Sequence, residues 1–216
     1  MKKIQDILSE ITYLRDKYSA THFHFTDESY PPALFRKLAK GLVDSKMGIF
    51  WTTHMRFEKS LLEDQVWQDA KDSGCKYLHF GYESGNERVL KLMDKATTTE
   101  IMTKHLKYTA EAGIWNHCMG FFGFPGETRE EAWQSVQFLE ANKDYVHSLG
   151  FGTFDLGRHN PVAKHPEKWG VTAYKNPDWD LALDYYYTVK NGMSIEEAER
   201  VFQQFEQNHY AGWDLR

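Results

Sequence analysis

Apolar residues at helical spacing run through IQDILSEITYLRDKY, and the alternating run THFHFTDE follows at once, so the chain opens with a helix and then a strand. That unit repeats. Tyr30-Pro31-Pro32 opens a helix through about Ser45, because proline suits a first turn where its missing N–H costs nothing. Gly48 to Arg56 reads as a strand, Ser60-x-x-Glu63 as a capping box for a helix ending at Gly74, and CKYLHFGYES as a strand again. Thr97-x-x-Glu100 caps a helix that stops at Gly113, IWNHCMGFFGF is the next strand, and Thr128-x-x-Glu131 caps a helix to about Asn142. Tyr145 to Leu156 is the last expected strand. Gly, His, Asn and Pro residues through Pro177 read as irregular structure, and Ser194-x-x-Glu197 begins a closing helix to about Asn208. Strands near 21–26, 48–55, 75–82, 114–122 and 146–155, each separated by a helix, predict a parallel sheet curled into an open partial barrel. The opening helix has no strand before it, which would leave THFHF as a bare edge, so a missing strand is expected.

Bulk properties narrow the class without naming a function. At 216 residues, 41% apolar and 26% charged, the chain suits one globular domain with a sizeable core. A net charge of −5 with no Lys/Arg block leaves no electrostatic footprint for nucleic acid or an anionic membrane, and neither partner is expected. The N-terminus lacks a signal-peptide core and no stretch reaches the roughly 20 apolar residues of a membrane span, so a cytoplasmic location is the default expectation. Cys75 and Cys118 form neither a disulfide framework nor a CxxC knuckle and read as packing residues.

Candidate chemistry gathers at strand ends, the rim where α/β barrels build their sites. Asp27 and Glu28 close the first strand and suit an ammonium group, a metal, or simply a turn before Ser29 and Pro31. Arg56 closes the second, where it either clamps a carboxylate bidentately or pairs with Glu58 or Glu63. Glu83, followed by Ser84-Gly85, ends a strand too apolar to host a free carboxylate; its partner would be a ligand hydroxyl, Arg88 or the helix start at Asn86. Gly120, Gly123 and Gly126 either admit a ligand close to the backbone or make a tight turn ahead of Glu127-Thr128. His22-x-His24 has metal-ligand spacing, although satisfied edge histidines are the commoner outcome.

As an ordered set, F-x-x-D-E, the strand-closing Arg56, SGCKYLHFGYESG, VLKLMDK at 89–95, and A-G-I with F-x-G-F-P-G-E-T resemble the radical S-adenosylmethionine superfamily. The nearest branch is the one associated with cobalamin-binding domains and methylthiotransferases, over about residues 1 to 155. The resemblance implies a TIM-like (β/α) partial barrel, with about five parallel strands present of an expected six, at 1–156, and a helical or irregular extension at 157–216. It implies S-adenosylmethionine on a [4Fe-4S] cluster, with Asp27 and Glu28 near the amino group, Arg56 near the carboxylate, Glu83 near the ribose, Ser84 in the same cofactor-binding set, and backbone from Gly120 to Gly123 near the adenine. The family's cluster loop, C-x-x-x-C-x-x-C, is absent here, since iron–sulfur clusters need thiolates this chain lacks. The bare edge and the absent cysteines thus predict one missing upstream segment, supplied by the same or a neighbouring protein. The D-x-H-x-x-G lower-ligand motif of cobalamin proteins is also absent; Asp144 to Gly150 holds one residue too many and reads as a helix end entering a strand. Cobalamin then belongs, if anywhere, to the full-length protein. The leading expectation is the barrel portion of an enzyme that cleaves S-adenosylmethionine reductively to a 5′-deoxyadenosyl radical, inactive as this chain alone. Against it stand a non-catalytic remnant binding a nucleoside-like ligand or partner chain, and, from another class, a metal-dependent hydrolase using His22, His24 and Asp27. No catalytic residue and no substrate can be read from the sequence.

Overall fold

The computed structural model describes residues 2–27, 29–174, 181 and 183–208. Eight helices and eight strands are described: α1 (Ile4–Tyr18), β1 (His22–Phe25), α2 (Pro32–Asp44), β2 (Phe50–Met55), α3 (Asp64–Asp72), β3 (Cys75–Glu83), α4 (Glu87–Leu92), α5 (Thr99–Glu111), β4 (Trp115–Phe122), α6 (Arg129–Ala141), β5 (Ser148–Thr153), β6 (Leu156–Gly157), α7 (Pro161–Lys164), β7 (Val171–Tyr174), β8 (Asp184–Val189) and α8 (Ile195–Asn208). Five parallel strands form one sheet in the order β1-β2-β3-β4-β5, the open βα arrangement that the alternation predicts.

Two compact units divide the chain. The first comprises Met1–Tyr82, Thr97–Met119 and Asn142–Leu149. Its helices bury one stripe each: Phe35, Leu38, Ala39 and Leu42 in α2, and Met102, His105, Leu106 and Thr109 in α5, both at the i, i+3, i+4, i+7 spacing of an amphipathic helix. Alternate strand residues Trp51, Thr53, Met55, Leu78 and Phe80 are buried against them, with Phe35 lying between Trp51 and Trp67 at 5.6 and 5.4 Å between ring centroids. The pleat therefore turns Thr52, His54, Tyr77 and His79 to the opposite face.

The second unit comprises Glu83–Ala96, Gly120–Ala141 and Gly150–Arg216. Its α6 buries Ala132, Ser135, Val136 and Leu139, and its α8 buries Ala198, Val201 and Phe205. Both helices open on true capping boxes: Thr128 Oγ1 accepts from Glu131 N while Glu131 accepts from Thr128 N, and Ser194 and Glu197 do the same.

Four local expectations are corrected. Ser60 caps nothing: it sits in a 3-10 turn, Lys59–Leu61, and α3 begins at Asp64, because Arg36 donates to the Ser60 carbonyl and to Glu63. The cap of α5 is Thr98, accepting from Ile101 N at 3.2 Å, rather than Thr97, while Glu100 pairs with Lys104 one turn on. The last strand of the parallel sheet is confined to Ser148–Thr153. The extension is not irregular: β6, β8 and β7 build a three-stranded antiparallel sheet whose core of Phe124, Leu156, Val162, Val171 and Tyr187 has its own apolar cluster.

Candidate functional site

In the first unit, Asp27 and Arg56 follow β1 and β2, which pair in parallel register from His22 opposite Phe50 to Phe25 opposite Thr53. Both are exposed, and neither forms an ion pair among the described residues. Of the partners weighed for Arg56, Glu63 pairs with Arg36 at 3.2 Å, and Glu58 forms no ion pair with Arg56 among the described residues. Asp27 acts on Tyr30, whose hydroxyl is pushed up to about 12 by burial first and by the Asp27 charge second. Glu28 lies outside the described residues.

In the second unit, Glu83 ends β3 with φ 62, a left-handed conformation uncommon for a residue other than glycine. The turn is held from behind. Ser84, fully buried, shares a 3.0 Å hydroxyl contact with Ser135 and accepts from Asn86 N, while Gly85 N donates to Ser135 Oγ at 2.9 Å. The partner of Glu83 is neither Arg88 nor the helix start at Asn86. It is Lys95, whose Nζ lies 2.7 Å from Oε1. Asp94, itself left-handed at φ 56, closes α4 and turns the chain so that Lys95 reaches back. Arg88 instead grips Glu131 through two bonds of 2.5 Å and donates to the Gly126 carbonyl.

The glycine loop has an internal reason for its glycines. Gly123 has φ +86, and a Cβ there would lie 2.5 Å from the Ala198 Cβ, so α8 itself demands the missing side chain. Its N–H donates to Glu127 Oε2 at 2.6 Å, whereas Glu127 Oε1 is buried without a partner. Burial raises the Glu127 carboxyl to about 7 despite the Gly123 N–H, so this acid is near its titration midpoint at neutral pH. Gly120 lies within β4.

Back in the first unit, His54, His79 and His117, which the sequence reading passed over, line the sheet face turned from the helices together with His24, which that reading weighed as a metal ligand. His54 and His79 are paired in register on β2 and β3 and stack at 4.6 Å, with His24 and His117 against them. The only sequence signal of His54, His79 and His117 is that each falls on the half-exposed phase of its strand's period of two.

Donor chemistry separates the cofactors. A free guanidinium and a free carboxylate at adjoining strand ends fit the carboxylate and ammonium of an amino-acid moiety. The residues present do not fit a [4Fe-4S] cluster: Cys75 and Cys118 are fully buried and burial pushes both thiols up, whereas cluster ligands are thiolates. Among the described residues no group of three His, Cys, Asp or Glu is placed to hold a metal ion. His147, in the stretch compared with a cobalamin ligand motif, is occupied by accepting from Asn116 N at 3.0 Å. No helix of the described residues is long and apolar enough to cross a membrane.

Comparison with known proteins gives the family and the fold. Residues 2–139 match the Radical SAM superfamily. The chain is 27% identical over 164 residues to cytidylyl-2-hydroxyethylphosphonate methyltransferase of Streptomyces wedmorensis, covering 74% of this chain and 30% of that protein. It is 25% identical over 154 residues to ribosomal protein uS12 methylthiotransferase RimO of Thermosipho melanesiensis, covering 66% of this chain and 35% of that protein. The chain thus spans about a third of the length of these curated relatives. In fold it resembles the radical S-adenosylmethionine methyltransferase TsrM of Kitasatospora setae, solved with cobalamin and a [4Fe-4S] cluster, with a TM-score of 0.70 at 17% identity over 94% of this chain and 41% of that one.

Proposed function

Because the chain belongs to the radical SAM superfamily, we propose that it is the S-adenosylmethionine-binding barrel portion of an enzyme whose cluster ligands reside outside these 216 residues. The observation that carries this reading is the pair Asp27 and Arg56, unpaired at the ends of neighbouring parallel strands, beside a cysteine set that cannot ligate iron. The bound cofactor would supply a 5′-deoxyadenosyl group on reductive cleavage. This chain's own residues bind and orient it: Arg56 meets the methionyl carboxylate, and Asp27, with Glu28, its ammonium group. Glu83 with Lys95 meets the ribose hydroxyls, Ser84 fixes the turn that carries Glu83, and backbone from Gly120 to Gly123 borders the adenine. Methyl or methylthio transfer recurs among the relatives' names and is the reaction class we assign to the complete protein. Cobalamin, if used there, is held by another domain.

A cluster-bearing segment, in the same polypeptide or a neighbouring one, completes this enzyme, and alone the chain does not turn over. The test is anaerobic assay of 5′-deoxyadenosine from S-adenosylmethionine with the chain, with a polypeptide bearing C-x-x-x-C-x-x-C, and with both. Product is expected only from the mixture, and Arg56→Gln should weaken cofactor affinity about tenfold or more, about 1.4 kcal/mol, by removing the bidentate partner. Product with Arg56→Gln at unchanged affinity would remove Arg56 from the site. A second reading, a non-catalytic remnant that binds a nucleoside-like ligand or a partner strand, is favoured by the buried thiols and by β1 standing at the sheet edge. It predicts no product from the mixture.

A further inference from the structure

Four imidazoles form a continuous layer on the sheet face turned from the helices. His24 lies 5.3 Å from His54 and 5.6 Å from His79 between ring centroids, His54 stacks on His79 at 4.6 Å and 29°, and His79 lies 5.3 Å from His117. A histidine held inside a sheet ordinarily satisfies its nitrogens on a carboxylate, a carbonyl or a hydroxyl. Here His117 alone does so among the described residues, through Ser148 Oγ at 2.8 Å. His54 Nδ1 is buried without a partner, and so is Thr52 Oγ1 two residues before it on the same face.

The influences on His54, His79 and His117 are burial first and then the other imidazoles, with no carboxylate among them. Other titratable groups near it are Tyr77, tilted against His79 at 4.5 Å, Lys76, whose Nζ lies over the Phe50 ring that neighbours His22, and, past the ends of β1 and β2, Asp27 and Arg56. Cys118, the remaining titratable group of this stretch of β4, is a buried thiol that burial keeps protonated. The layer is thus rich in N–H and O–H donors, no carboxylate is among the groups that shift its rings, and burial first, with repulsion between the rings second, disfavours protonation of His54, His79 and His117.

We propose that this imidazole layer is a binding site for an oxyanion, a carboxylate or phosphoryl group carried by a ligand, taken up together with a proton. An anion accepts from several imidazole N–H groups at once, and its charge offsets the burial cost and the repulsion that disfavour a charged ring. A metal ion is the wrong occupant: the rings meet face to face or edge to face, and no three of the described ligand-type residues converge on one point. The site is independent of the cofactor reading, since it rests on residues with no part in it.

The probes are sodium sulfate for a tetrahedral oxyanion and sodium acetate for a planar one, both of fixed charge between about pH 6 and about pH 7.5. Calorimetry on the intact chain in buffers of differing ionisation enthalpy reads affinity and proton uptake together. One probe should bind at least about tenfold more tightly at the lower pH, with net proton uptake, and which one it is identifies the anion class. His79→Gln should weaken that binding at least about fivefold, and His24→Gln, at an exposed position that tolerates change, should weaken it in the same sense; His159→Gln, exposed and outside the layer, should not. Failure of both probes to bind, binding without proton uptake, or binding unmoved by His24→Gln in a chain of unchanged melting temperature would overturn the proposal.

Discussion

Glu127 and His105 are buried side chains whose titrations oppose each other. Glu127 is wholly buried, with its carboxyl raised to about 7, so the folded state holds a proton that the unfolded state releases near 4.5. Its contribution is present below that unfolded value and is lost as pH rises through about 7. His105, also wholly buried, is lowered to about 4 by burial in spite of its bond to the Glu58 carbonyl. It stabilises above the unfolded value of 6.5, and that contribution falls away as pH drops toward 4. Each amounts to about 3 kcal/mol at most. Glu127→Gln should therefore remove the alkaline loss and leave the acid one: its stability, measured by urea denaturation across this range, should rise more steeply with pH than the wild type's. An unchanged pH profile would show that the Glu127 carboxyl titrates alike in the folded and unfolded states. Neither residue announced itself in the sequence, since burial, which sets both, is a product of the fold. Glu83 was legible because a charged residue closing an apolar strand must find a partner, whereas the exposed Arg56 forms no ion pair among the described residues. The identity of Glu83's partner, Lys95, depended on a left-handed Asp94 that nothing local demands.

At the scale of elements, caps decide where helices begin. Three consecutive threonines, Thr97, Thr98 and Thr99, precede Glu100, so a capping box at Thr97 and a simple cap at Thr98 are equally plausible spellings. The backbone chose Thr98, and the Thr97 hydroxyl is left buried without a partner. Thr98→Ala should cost about 1 kcal/mol, whereas Thr97→Val, which removes only an unsatisfied hydroxyl, should be neutral or stabilising. Thermal melts of the two variants distinguish them, and equal losses would return the cap to Thr97. The βα alternation was readable because α2, α5 and α6 each carry a four-position buried stripe and β2 and β3 a period of two. The sheet of β6, β7 and β8 was not, because its strands are two to six residues long and pair across distant loops. Tyr185, Tyr187 and Val189 carried the only hint, alternating in DYYYTV.

For the whole molecule, the parallel five-strand order places Asp27, Arg56 and Glu83 each at the C-terminal end of its strand, the end where α/β sheets carry their sites. That placement at strand ends followed from sequence order. The imidazole layer did not, because His24, His54, His79 and His117 are remote along the chain and only inter-strand register brings them together. Family membership and cysteine placement pull in opposite directions, and the account resolves them by placing the cluster ligands outside these residues. Anaerobic iron–sulfur reconstitution of this chain alone, read by Mössbauer spectroscopy and iron content, tests that resolution most directly. The account predicts no [4Fe-4S] cluster on the isolated chain and one on its mixture with a C-x-x-x-C-x-x-C polypeptide. A stoichiometric [4Fe-4S] cluster on the chain alone, abolished by Cys75→Ser or Cys118→Ser, would contradict it.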